Sequence, residues 1–342
     1  MTESRKKVSF TEIFSGAHTG LTQWLIDKPR DFIALSRERM KDLPKTNYDL
    51  GYRFASEGKW MDAIFRFKVV LYLNPNYPNA NYNLGCCYMR TGKAGAARAA
   101  FLKALKQSPG NRDVTFMLAS LDPSALPSAQ RPTRMPLEMV TGFFSAQAEG
   151  YDITEANNRY QAGKAIHDLA KPLVKTEAPV VLDLGCGSGI ASRPWRVGAA
   201  SIRGVDVTPS MLALAGKATH AERKLFDGLV TADVAQLPPE IANGSADLVL
   251  LVNVVQFIGE LSTTLGGAAQ ALKPGGVLVV TMEPYTQAGG YGLVADTSRF
   301  GHTNAYVKQV AAAAGLIPAA ESSVELYVGI PAQALAFTKG TM

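Results

Sequence analysis

Two patterns of apolar and polar positions divide the chain. Up to about residue 121 it reads as helices; from residue 179 short apolar runs alternate with helical stretches. Residues 1–9 are polar and basic and read as a loose tail. Phe14, Leu21, Trp24 and Leu25 are the apolar points of a helix expected over Phe10–Ile26. Phe32, Leu35 and Met40 mark a second over Pro29–Leu43, with Asp27 near its N-cap, Pro29 in its first turn and Pro44 closing it. Residues 47–114 then repeat themselves. Leu50-Gly51 returns as Leu84-Gly85, and at the same shift of 34 Phe54 meets Tyr88, Gly58 meets Gly92, Ala63 meets Ala97, Phe67 meets Phe101 and Pro75 meets Pro109. Small residues let paired helices approach, aromatics fill the space between, and each proline follows a helix end.

This period and these residue types resemble the tetratricopeptide repeat. Two full repeats are visible, and a short stack needs both ends covered. Asp113–Leu121, with Leu118 a further 34 residues on, can begin a third unit at one end; the helices of 10–43 can cover the other. Cys86 and Cys87 read as packing residues of a repeat helix. Pro123, Pro127, Pro132 and Pro136 then mark a semi-stiff linker. The expected division is tail and helices over 1–46, repeats over 47–121, a proline-rich linker over 122–136 and a second domain over 137–342.

In the second domain helices are expected over Met139–Gln147 and Asn158–Val174. Strands follow near 179–184, 201–206, 227–232, 246–252 and 276–282, with helices near 190–198, 209–217 and 260–272. A helix over Asn304–Ala314 and strands near 316–326 and 331–338 end the chain. Such alternation predicts a parallel sheet with helices on both faces. Residues 284–303 interrupt it as a glycine-rich loop past a strand end, where open sheets of this kind bind ligands.

The chemistry gathers around Val-Val-Leu-Asp-Leu-Gly-Cys-Gly-Ser-Gly-Ile at 180–190. An apolar run suits a strand buried on both faces. Gly185, Gly187 and Gly189 past its end allow a tight turn that a ligand can approach closely. A helix starting near Ile190 would turn its free N–H groups to the same ligand. Asp206 closes the next apolar run, 21 residues after Gly185, where a carboxylate can take ribose hydroxyls. Asp233 sits in Thr-Ala-Asp-Val-Ala-Gln-Leu-Pro, and Leu-Lys-Pro-Gly-Gly-Val-Leu-Val-Val follows at 272–280.

In order and spacing, residues 180–283 resemble a class I S-adenosylmethionine-dependent methyltransferase. The whole chain is similar to bacterial methyltransferases that carry tetratricopeptide repeats. The resemblance implies an all-α repeat domain followed by a Rossmann-like seven-stranded α/β domain whose last strand runs antiparallel. It implies S-adenosylmethionine as cofactor. Gly185, Gly187 and Gly189 would pass close to it, with Cys186 as a small residue in the loop. Asp183 would lie near its ammonium group, directly or through water. Asp206, beside Val207, would accept from the ribose diol. Asp233 would accept from the adenine amino group while the Val234 N–H reaches a ring nitrogen. Asn253 would lie beside the methyl group, and an aromatic helix running from Phe143-Phe144 to Tyr151-Asp152 would cover the cofactor. The sequence lacks the Asn-Pro-Pro-Tyr motif at 253, which argues against methylation of nucleic-acid amino groups or glutamine amides.

The methyl acceptor is left open. His302, Tyr285, Tyr291 or Glu283 could act as general base, or none is needed. His167 reads as a surface or packing residue. No cluster of His, Cys and carboxylates has metal-ligand spacing. The expected activity is methyl transfer to a small-molecule or protein-bound acceptor, with the repeats recruiting a protein partner. A non-catalytic scaffold that retains the fold, and an RNA methyltransferase, are the alternatives.

Composition changes little in this picture. Hydrophobic residues make up 47% of 342, which suits a folded globular chain. No apolar stretch reaches the length of a membrane span, the N-terminus lacks a secretory pattern, and three cysteines make no disulfide framework, so the expected compartment is the cytoplasm. Charge is uneven. Residues 1–135 hold 21 Lys and Arg against 11 Asp and Glu, a net of +10, and the rest hold 14 against 18, a net of −4. Solvated helix faces account for this, or an acidic partner of the N-terminal half; nucleic acid is the less favoured partner.

Overall fold

The computed structural model describes residues 42–151, 162–287, 289–294, 297–327 and 330–341. The chain divides into two compact units, Met1–Pro132 and Thr133–Met342. The helix expected over Phe10–Ile26, and nearly all of the next, lie outside the described residues.

The described part of the first unit is five helices: α1 (Leu43–Ser56), α2 (Trp60–Leu73), α3 (Ala80–Arg90), α4 (Ala94–Gln107) and α5 (Arg112–Leu121). Pro44 lies in the opening turn of α1, where no N–H is needed, and the Asp42 carboxylate caps that turn by accepting from Lys45 N at 2.9 Å. The repeat is visible in the packing. A Cβ on Gly51 would stand 3.0 Å from Phe67 Cε1, and one on Gly85 would stand 2.6 Å from Phe101 Cε1. Each glycine thus lets the aromatic ring of the next helix lie against its backbone. Phe67, Phe101, Ala63 and Ala97 are fully buried. Cys86 and Cys87 are buried and free, and burial pushes the Cys87 thiol up to about 12, so both act as packing groups. Past α5 the proline-rich stretch forms two short 3₁₀ turns, Pro123–Ala125 and Ser128–Gln130.

The second unit begins with α6 (Leu137–Gln147) and α7 (Ala162–Ala170). Its strands are β1 (Val180–Leu184), β2 (Ser201–Asp206), the small hairpin β3 (Thr219–His220) and β4 (Arg223–Lys224), β5 (Gly228–Thr231), β6 (Ala246–Leu251), β7 (Leu272–Pro284), β8 (Tyr291–Val294), β9 (Arg299–His302), β10 (Leu316–Tyr327) and β11 (Ile330–Lys339). Helices α8 (Pro209–Ala215), α9 (Ser262–Ala271) and α10 (Asn304–Ala313) connect them. The main sheet runs β10-β11-β7-β6-β1-β2-β5, seven strands with β7, β6, β1, β2 and β5 parallel and β11 antiparallel to β7. Strand order reverses at β1, so the crevice between the C-terminal ends of β1 and β6 is the switch point where ligands bind in such sheets.

Two elements differ from expectation. The segment after the glycine loop is a six-residue 3₁₀ turn, Ile190–Trp195, not an α-helix. Pro194 lies inside it and supplies no N–H, so the α-helical ladder cannot propagate. It presents no helix N-terminus to a ligand. The stretch 284–303 is also not a plain loop. β7 extends to Pro284, and β8 and β9 form a hairpin whose second strand pairs parallel with the end of β7, Glu283 with Gly301 and Pro284 with His302.

Candidate active site

Five chain segments meet in one cavity at the C-terminal edge of the sheet: the loop after β1, the end of β2, residues 233–234 after β5, residues 252–258 after β6, and the start of the unit from Arg134 through α6 to Tyr151. The loop after β1 is built first. The Gly185 and Cys186 N–H groups donate to Val205 O at 2.7 and 3.0 Å, which anchors the turn on β2. Gly185, Gly187 and Gly189 all have positive φ, +77°, +54° and +94°. Their reasons differ. A Cβ on Gly185 would meet Val254 Cγ2 at 2.4 Å and one on Gly189 would meet Leu225 Cδ2 at 2.5 Å, so both also make room for packed side chains. A Cβ on Gly187 meets only Met211 Cε at 3.5 Å. Gly187, which lines the cavity, has room for a Cβ, so its positive φ is what calls for glycine there.

Gly187 N–H donates to Asp206 Oδ2 at 2.9 Å, and Thr208 N–H donates to Asp206 Oδ1 at 2.8 Å. The Thr208 hydroxyl and the Val207 N–H also act on this carboxylate. Asp206 is buried, and burial raises its carboxyl above the usual range while the Thr208 and Gly187 N–H groups hold it down. A buried carboxylate fixed at a cavity wall suits hydroxyl donors of a ligand. Ser188 Oγ, also on the wall, is buried without a partner among the described residues. The glycine cradle, the carboxylate and this unpaired hydroxyl fit a nucleoside with a polar tail.

On the far side the Asp233 carboxylate accepts from Ala235 N–H at 3.0 Å and from the Arg134 guanidinium at 2.8 and 3.1 Å. Asn253 follows β6 with φ +59°, a left-handed conformation uncommon for a side chain other than glycine. Its N–H donates to Thr281 Oγ1 at 2.8 Å, and its side-chain oxygen accepts from Gln256 Nε2. Phe144 of α6 stacks edge-on against Phe257 and Tyr151, at 5.5 and 6.3 Å between ring centroids, and all three line the cavity.

Of the residues singled out from the sequence, Gly185, Cys186, Gly187, Asp206, Val207, Asp233, Val234, Asn253 and Tyr151 line this cavity. Asp183 and Gly189 stand behind it. Asp183 is fully buried, and Ser192 Oγ donates to it at 2.6 Å. Burial raises its carboxyl to about 7. His302 and Tyr285 do not line the cavity. Tyr285 lies over Gly292, where a Cβ would come 2.3 Å from its hydroxyl. His302 is buried, with Nε2 donating to Ile258 O at 2.9 Å and its ring stacked on Tyr306. Burial lowers its pKa to about 4, so it stays neutral and tethers β9 to the cavity wall. His167 rests its ring 4.7 Å from that of Trp195, also outside the cavity. Sequence reasoning missed Arg134, Ser188, Val254 and Phe257. For Arg134 no local signal exists, since its partner lies 99 residues on.

Residues 182–280 match the family model of a methyltransferase domain, and residues 78–111 match that of the tetratricopeptide repeat. The malonyl-[acyl-carrier protein] O-methyltransferase of Yersinia pestis is 26% identical over 148 residues, 43% of this chain and 51% of the relative. The ubiquinone biosynthesis O-methyltransferase of Bradyrhizobium sp. (strain ORS 278) is 35% identical over 103 residues, 30% of this chain and 38% of the relative. The trans-aconitate 2-methyltransferase of Delftia acidovorans is 29% identical over 160 residues, 46% of this chain and 58% of the relative. The chain spans about half the length of the curated relatives it matches. Among the described residues no helix is long and apolar enough to cross a membrane. One polypeptide thus joins a segment that matches the tetratricopeptide repeat to a segment that matches a methyltransferase domain.

Proposed function

We propose that the protein transfers a methyl group from S-adenosylmethionine to a small-molecule or protein-bound acceptor, and that its repeats recruit a protein partner. The observation that carries this reading is the cavity wall formed by Gly187 and the buried Asp206, whose carboxylate is held in place by the Gly187 and Thr208 N–H groups at the end of β2. Bound S-adenosylmethionine supplies an electrophilic methyl group on its sulfonium. In this reading Asp206 holds the ribose diol, Asp233 the adenine amino group, and Gly187 admits the backbone of the tail. Phe144, Tyr151 and Phe257 exclude water and align the acceptor.

The only carboxylates among the described lining residues are Asp206 and Asp233, both already hydrogen-bonded, and no histidine is among them. That favours an acceptor that arrives as a nucleophile, such as a carboxylate, over one that must first lose a proton. Relatives named for malonyl-[acyl-carrier protein] and for trans-aconitate fit this chemistry, one acceptor on a carrier protein and one free. The adjacent buried free thiols Cys86 and Cys87 suit work in the cytoplasm.

Calorimetric titration with S-adenosylhomocysteine tests the cofactor reading. We expect binding in the micromolar range for the wild-type chain and at least tenfold weaker binding for Asp206→Ala, since two charge-assisted hydrogen bonds are removed. Equal binding by the two would overturn it. The acceptor is sought by mass spectrometry for added methyl groups on co-purified material. Turnover that appears only above pH 9 would contradict the carboxylate reading.

A further inference from the structure

The segment between the two units' division and α6 carries a residue that the cavity needs. Thr133 O accepts from Gly259 N at 2.7 Å and Glu260 N at 3.0 Å, and Met135 N donates to Phe257 O at 2.8 Å. Arg134 therefore sits on a strap whose backbone is tied on both sides of it to the chain after β6, with Met135 buried. From there its guanidinium grips Asp233 with both Nη groups.

Counting lone pairs gives the consequence. Asp233 Oδ1 accepts from Ala235 N and Arg134 Nη2, which fills both its positions. Oδ2 accepts from Arg134 Nη1 alone and keeps one position. Arg134 Nε is buried and unpaired among the described residues, although the side chain lines the cavity. The fork geometry of a bidentate pair fixes the plane of the carboxylate. The pair thus offers one aimed acceptor and one donor, not a freely rotating carboxylate.

We propose that Arg134 is a positioning residue that sets the base specificity of this cavity, by orienting Asp233 so that its one remaining acceptor position takes the 6-amino group of adenine. The inference rests on the cofactor reading above. A base with a carbonyl at that position meets a lone pair where a donor is required. A site built around one aimed hydrogen bond rejects such an analogue more strongly than apolar contacts could. With Arg134 removed, the carboxylate rotates, gains an open position, and takes a water or a donor from either base.

The test is calorimetric titration of the full chain with S-adenosylhomocysteine and with S-inosylhomocysteine, which replaces the 6-amino group by a carbonyl. Wild type is expected to favour the adenosyl ligand by about tenfold or more, the scale of one hydrogen bond to a charged group. In Arg134→Ala that ratio collapses towards one, chiefly by weaker adenosyl binding. Should that variant not fold, Arg134→Lys carries the test, since an ammonium engages the carboxylate as a point charge and leaves its plane free. Wild-type failure to bind S-adenosylhomocysteine would overturn the cofactor reading and this one with it. An unchanged ratio in a variant that still binds S-adenosylhomocysteine would overturn the role of Arg134 alone. Tighter adenosyl binding by the variant would overturn it too, because the ion pair would then block the base.

Discussion

Asp183 stands behind the cavity wall and bears on the site through its burial and its charge. It lies on the central strand β1 with neighbours on both sides, Gly204 and Leu250, and its carboxylate accepts from Ser192 Oγ. Burial, and the charge of Asp206, raise its carboxyl to about 7 against the bond from Ser192. A raised acid favours the folded state most when protonated, so its contribution is greatest below pH 4 and is lost as pH rises towards 7. We expect Asp183→Asn to remove a stability slope of up to about 1.4 kcal/mol per pH unit over that window. Urea denaturation of both forms at several pH values measures it, and parallel curves would show that Asp183 does not titrate there. Asp206 runs the opposite way for ligand binding, because only its ionised form accepts two hydroxyl donors. S-Adenosylhomocysteine should bind more weakly as pH falls through its raised range, and Asp206→Asn should bind weakly at every pH. The glycines and acids were legible in the sequence because their spacing along the chain mirrors strand ends. Val254 and Arg134 were not: what gives them meaning is a contact with Gly185 or Asp233 made only on folding.

At the scale of elements, the repeats make a sharper case than the sheet. Gly85 and Gly95 sit in neighbouring helices of one repeat, and alanine should act on them with opposite signs. A Cβ at 85 would press into Phe101, whereas at 95 nothing lies within 4 Å. Gly85→Ala should destabilise by about 1–3 kcal/mol through overpacking. Gly95→Ala should stabilise by about 0.5–1 kcal/mol through the backbone entropy of glycine in a helix. Thermal unfolding separates the two, and a shared sign would refute the packing account. The periodic helices and strands were readable because burial imposes a period on them. The hairpin of β3 and β4 was not, because its turn places Ala221 and Glu222 at positive φ without the usual Asn-Gly pair. Nor was the pairing of β9 with β7, since two four-residue strands with Gly292 and Gly301 inside lack the alternation of a strand. His302 fastens that hairpin while neutral. Its lowered pKa means that its contribution is present above pH 6.5 and lost as pH falls to about 4. In His302→Phe this acid-dependent loss should vanish, at the cost of the bond to Ile258 O; an unaltered acid limb in urea titrations would rule it out.

At the scale of the whole molecule, the division between units falls after Pro132, while the sequence alone suggested a linker reaching 136. The difference of four residues matters because Thr133–Pro136 carries Arg134 and the strap bonds to Phe257, Gly259 and Glu260. Prolines marked the stretch as linker, and they do shape it, but the two backbone ties at Thr133 and Met135 belong to the second unit. A chain starting at Thr133 retains every hydrogen bond of the strap and of the cavity wall described above. One starting at Leu137 lacks the guanidinium on Asp233 and uncovers the carbonyl of Phe257. We therefore expect residues 133–342 to bind S-adenosylhomocysteine with the affinity of the full chain and residues 137–342 to bind it about tenfold or more weakly, the cost of leaving Asp233 without its charged partner. Calorimetry on the two fragments, each checked for folding by far-ultraviolet circular dichroism, compares them. Equal affinity would mean that the strap belongs to the connection and not to the site. Loss of binding in both would mean that the methyltransferase domain draws on the repeat unit for its cofactor affinity.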